Sequence, residues 1–121
     1  MPQRLFHIAP REEVERARAA GQYVPAAFST EGFIHCSHRH QVVKTAARFF
    51  RGVQNLVLLE IDAGRVGAQV VEENLEGGEE LFPHLYGSLP FTAVLVVHEF
   101  PCDEQGFFSL PPDISLAPGV A

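Results

Sequence analysis

The sequence is poor in positive charge, in cysteine and in long apolar runs, and each shortage removes a class of function. Lys44 is the sole lysine, and 9 Lys+Arg in all face 15 Asp+Glu, for a formal net charge of −6. Such an acidic chain repels a nucleic-acid backbone. A general nucleic-acid binder is therefore not expected, and a small phosphate-bearing ligand held by a few arginines is the most that charge leaves open. Two cysteines, Cys36 and Cys102, cannot build a disulfide framework, so reduced thiols and a cytoplasmic location are expected. No apolar run approaches the roughly 18 residues of a membrane span, the first residues read straight into structure without a secretory apolar stretch, and no membrane partner is expected. Neither a P-loop nor a dinucleotide-type glycine turn occurs.

What is present suits one compact domain. With 121 residues, 46% hydrophobic and 20% charged, the chain is long enough for one core and too short for two. A single domain is expected over 1–121, its ordered core ending near Phe108. The segment 109–121, with Pro111, Pro112 and Pro118, reads as a loosely packed tail.

Apolar periodicity gives an α+β order. Residues 5–8 read as a strand closed by Pro10. Residues 11–20 read as a helix, with Pro10 in its first turn, Glu12 and Glu13 at its positive end and Gly21 at its exit. A loop over 23–32 leads to a strand over 33–37, whose alternation groups Phe33, His35 and Ser37 on one side and Ile34 and Cys36 on the other. Residues 38–52 form a helical pattern through Val42, Ala46, Phe49 and Phe50. Strands follow over 55–62, apolar enough for burial on both faces, then 68–74 and 93–100. Between them lie an acidic turn at 76–80 and a compact loop at 82–87. Consecutive strands can pair antiparallel. That order predicts a small α+β domain with two helices on a twisted, mostly antiparallel sheet rather than a doubly wound fold.

Six histidines exceed what so small a core needs. His7 and His35 sit within apolar strand patterns, and His84 follows Pro83. A buried imidazole costs free energy unless it finds a partner. Either each is bonded to a backbone carbonyl inside the core, or the three converge on a cleft and hold a polar ligand. Glu72 and Glu73 are adjacent on a strand and point to opposite faces, so one of them can accompany the histidines while the other is solvated. Tyr23, Phe33 and Tyr86 offer flat rings for core packing or for stacking on a ligand, and Arg4, Arg39, Arg48 and Arg51 are the cations open to a phosphate. No metal is expected: His35 and Cys36 face opposite ways, and no second Cys/His pair stands at finger-like spacing. Cys36, on an apolar strand face, reads as a small core residue rather than a nucleophile.

Glu31-Gly32-Phe33-Ile34-His35-Cys36-Ser37 and Phe82-Pro83-His84-Leu85-Tyr86-Gly87, with Leu5-Phe6-His7-Ile8 before them, resemble the bacterial domain of unknown function 952 family over residues 4 to 108. The resemblance implies an ADP-ribosylation-like fold, with a split sheet around a cleft. It further implies NAD or a related nucleotide as ligand and an ADP-ribosyl- or phosphoribosyl-type transferase or hydrolase. By that analogy His7, His35 and Glu73 are catalytic, with Glu72 or His84 as alternatives for the third position, while Ser37, His84, Tyr86 and Tyr23 bind substrate. The alternative on the same scaffold is a non-catalytic small-ligand or partner-binding domain.

Overall fold

The structure is a computed structural model that describes residues 3–74 and 78–115. Its elements run in the order β1 (Arg4–Pro10), α1 (Arg11–Ala20), β2 (Gln22–Tyr23), α2 (Phe28–Glu31), β3 (Ile34–His35), α3 (Val42–Phe49), β4 (Leu56–Asp62), β5 (Gln69–Glu73), β6 (Phe82–Tyr86), β7 (Leu89–Pro90), β8 (Val94–Glu99) and α4 (Pro112–Ser115). They form three antiparallel sheets, ordered β1-β4-β8, β3-β6-β5 and β2-β7. The α+β class follows from the sequence. In place of two helices, however, there are two longer ones and two single-turn ones, because the loop before β3 and the segment after Phe108 each wind once.

The central strand β4 is buried through Leu56–Ile61, and its faces feed two cores. Leu5, Ala9, Val57, Leu59 and Ile61 pack with Val14 and Ala17 of α1 and with Ile34, Cys36 and Leu85. On the other side Phe6, Ile8, Leu56 and Leu58 pack with Val42 and Ala46 of α3 and with Phe100, Phe108 and Ile114. The alternation of β1 decides which residue joins which core. Ile114 is fully buried, so the segment after Phe108 is not uniformly loose; residues 116–121 lie outside the described residues, as do residues 75–77 of the acidic turn.

Two sequence expectations are corrected here. The segment 82–87 is not a loop: β6 is the middle strand of its sheet, with Pro83 opposite Glu72. The proline leaves a one-sided rung: its carbonyl accepts from the Cys36 N–H at 3.0 Å, but it has no N–H to give back, and β3 ends there. The strand over 33–37 shrinks to the two residues of β3, because the chain then turns to a different partner. Ser37 forms a single bridge with Phe6 of β1, with N–O distances of 2.9 and 2.7 Å. This bridge joins the β1-β4-β8 sheet to the segment leaving the β3-β6-β5 sheet, and no further rung extends it among the described residues. The gap beyond it positions the site.

Candidate functional site

Next to the bridge, where a further rung would lie, the side chain of His7 takes over: its Nδ1 lies 2.5 Å from the carbonyl oxygen of His35. A carbonyl only accepts, so Nδ1 carries the hydrogen, and the neutral ring presents Nε2 as an acceptor. Burial pushes the His7 imidazole down to about 4, against a smaller opposing effect of the His35 carbonyl bond, so the ring is neutral near pH 7.

The Tyr23 hydroxyl stands 3.0 Å from His7 Nε2 and 3.2 Å from Glu13 Oε1. It has one hydrogen and two acceptors. With Glu13 ionised and His7 neutral, only one of these contacts is a hydrogen bond at any moment. One added proton, on the carboxylate or on the ring, completes both. The three side chains thus form one hydrogen-bonded chain with a single hydrogen shared between two contacts. Burial and the neighbouring Glu13 carboxylate both raise the Tyr23 hydroxyl well above its ordinary value, so it keeps its hydrogen near neutral pH.

These groups open onto a cavity of about 670 Å³, within the range that holds a small organic ligand. Its polar lining comes from six stretches of chain: His7 of β1, Glu13 of α1, Tyr23 of β2, Glu31 of α2, His35 with Ser37 around β3, and Thr45 of α3. The rest of the wall is apolar, with Phe33, Phe50 and Phe82 among it. His35 Nε2 lies 3.2 Å from Glu31 Oε1, and both side chains are about two-fifths exposed, so this pair is the reachable part of the site. Gly32, at φ +81, turns the chain between α2 and β3 and returns Glu31 to the ring of His35.

Glu73, His84 and Tyr86 form a separate group behind this wall. His84, 1% exposed, does not line the cavity; its ring stacks on Phe33 with centroids 4.2 Å apart and meets the edge of His35 at 4.9 Å. Tyr86 donates to Glu73 at 2.9 Å, and His84 Nδ1 is 3.5 Å from Glu73 Oε2. Glu72, on the other face, binds His38 at 2.8 Å. None of Arg4, Arg39, Arg48 and Arg51 lines the cavity: Arg4 holds Glu60, Arg48 lies over Phe49, and Arg51 lies over Phe107. Burial pushes the Cys36 thiol up to about 12, as suits a packed rather than a reactive cysteine.

A profile of the family described as protein of unknown function (DUF952) matches residues 8–97. The chain belongs to this family. Its fold is also that of solved structures of protein CC0527 from Caulobacter crescentus. One crystal structure is 34% identical, with a TM-score of 0.83, and covers 93% of this chain and 99% of that chain. A solution NMR structure is 35% identical, with a TM-score of 0.79, and covers 94% and 98%. No curated protein matches. The DUF952 span contains Glu13, Tyr23, Glu31, His35 and Ser37 and begins one residue after His7.

For this DUF952 chain, the structure brings His7, Tyr23, His35 and Ser37 together as the sequence reading expects. It separates Glu73, His84 and Tyr86 from them, because β6 turns His84 against the back of Phe33. Tyr23, 1% exposed, serves as a hydrogen-bonding link to His7 rather than as a stacking platform. Sequence reasoning missed the two carboxylates that do reach the cavity. Glu13 reads as an ordinary first-turn acid, and nothing local announces its bond to Tyr23. Glu31, four residues before His35, carried a signal in that spacing across a glycine. Among the described residues no group of three or more His, Cys, Asp or Glu is placed to hold a metal ion, and no helix is long and apolar enough to cross a membrane.

Proposed function

We propose that this protein binds a small, ring-bearing organic molecule in the cavity beside the Phe6–Ser37 bridge. One observation carries the reading: polar side chains from six separate stretches converge on a hollow of about 670 Å³ whose walls are otherwise apolar. Folding alone does not require that arrangement, since buried polar groups are usually satisfied one at a time by backbone. His35 and Ser37 are placed to bind hydroxyl or amide groups of the ligand, and the aromatic walls to hold its ring.

The narrower form of the proposal is an NAD- or nucleotide-using transferase or hydrolase of ADP-ribosyl type. His7 and His35 on neighbouring strands, and a cavity large enough for a nucleoside, support it. No lysine or arginine among the described residues lines the cavity, so only the base and ribose end would enter and a diphosphate would stay outside. Within this form the carboxylate beside a developing sugar cation is Glu31 or Glu13, not Glu73. The Glu13–Tyr23–His7 unit, one proton short, is the feature that favours catalysis over binding alone.

Calorimetric titration with NAD, ADP-ribose and adenosine, with wild type and His35→Ala, tests the nucleotide form. Saturable binding weakened about tenfold in the variant is expected, the scale of one lost hydrogen bond to a partly charged group. Silence across the panel ends that form. A fragment screen read by amide shifts tests the broader proposal, which is overturned if every hit maps away from residues 7, 23 and 35. Release of nicotinamide from NAD by wild type but not by Glu13→Gln would establish the catalytic version.

A further inference from the structure

We infer that the ligand of this cavity is an organic cation: an ammonium or pyridinium-type charge carried on an apolar body. The inference deepens the small-molecule reading above and rests on it. It starts from the charges that face the hollow. Glu13 comes from α1 and Glu31 from α2, and among the described residues no lysine or arginine joins them on the lining. The other titratable groups on the wall do not restore the balance. His7 is held neutral by burial, the Tyr23 hydroxyl and Cys36 thiol are pushed up and stay protonated, and His35 already faces Glu31 at 3.2 Å. The same wall carries the rings of Phe33, Phe49, Phe50 and Phe82.

Carboxylates give an attraction, and aromatic faces give a surface that tolerates a poorly hydrated cation better than an aliphatic wall does. An anion meets the reverse: two like charges nearby and a whole-chain charge of −6. A metal ion is a poorer match, because so much of the wall is ring and hydrocarbon, and hard cations require several converging oxygens.

Two matched pairs test the inference with the full chain at neutral pH: choline against its carbon isostere, in which the quaternary nitrogen is replaced by carbon, and phenyltrimethylammonium against tert-butylbenzene. Within each pair only the charge differs. The charged member is expected to bind at least about tenfold more tightly, as a partly desolvated cation near carboxylates and rings should. In the Glu13→Gln, Glu31→Gln double variant the preference should fall to about twofold, with the neutral member's affinity unchanged. Glu12→Gln with Glu15→Gln, outward on the same helix, should keep it, which separates local from overall charge. Equal binding of both members by wild type overturns the cation inference and leaves the small-molecule reading in place. Binding of neither member also overturns it, and the fragment screen then decides the broader reading by itself.

Discussion

Two histidine-centred clusters occupy opposite faces of the β1-β4-β8 sheet, and they have been built to different ends. On one face His98 Nε2 binds Glu60 at 2.8 Å, and Arg4 binds the other Glu60 oxygen at 2.7 Å. Donors and acceptors match there, a fixed cation balances the carboxylate, and His98 and Glu60 are both buried with neither on the cavity wall. On the other face, the His7–Tyr23–Glu13 unit lacks a proton, lacks a cation and opens onto a hollow. A histidine inside an apolar strand is thus not in itself a sign of function. The informative features are whether its network is complete and whether space adjoins it.

The comparison can be broken or sharpened by mutation, with the largest effect expected at the complete cluster. Glu60→Ala leaves a buried imidazole and a guanidinium without their shared carboxylate and should cost about 3 kcal/mol, read by urea denaturation, with cation binding at the cavity intact. A loss within experimental error would mean the trio contributes nothing to stability.

Next comes acid. The folded-state imidazole of His7 lies at about 4, below its unfolded value of 6.5, so the unfolded chain binds the extra proton first. Its contribution to stability is complete above pH 6.5 and is lost as the pH falls toward 4. The slope of unfolding free energy against pH in that window should flatten in His7→Gln. An unchanged slope would assign the acid sensitivity to other groups.

Tyr23→Phe should be milder for stability, about 1 kcal/mol, since one shared hydroxyl is removed from a well-packed ring. It should nevertheless shift the His7 ring nitrogen resonances, which a packing change alone would not do. The smallest effect is expected at Glu73→Gln. Placed behind Phe33 and off the cavity wall, this change should leave probe affinity within twofold of wild type. A tenfold loss would return Glu73 to the site.

The legible parts of the fold are those set by local pattern. α1 ends at Gly21 because a left-handed residue there lets its N–H close on the Ala17 carbonyl at 2.8 Å, and Gly at the helix exit signals this in sequence. β4 declares its burial on both faces by its unbroken apolar run. Strand β6 is hidden because Pro83 is a strand-breaking signal, and only the sheet shows that a rung made one way, from Cys36 N–H to the Pro83 carbonyl, is enough to keep it. The site was half legible. His7, His35, Ser37 and Tyr23 stand out by residue type, whereas Glu13 and Glu31 look like ordinary surface acids.

The amino-acid sequence by itself determined α1, α3, β1, β4, β5 and β8, the acidic balance, and the supply of imidazoles and rings, because these depend on neighbours along the chain. Only the tertiary structure decided that β1 meets Ser37, just past β3, in a single rung, that His84 faces the back of Phe33, and that Glu13 and Glu31 rather than Glu73 line the hollow. Those outcomes depend on which surfaces bury the most apolar area against each other. That quantity belongs to the packed whole and to no local stretch of residues.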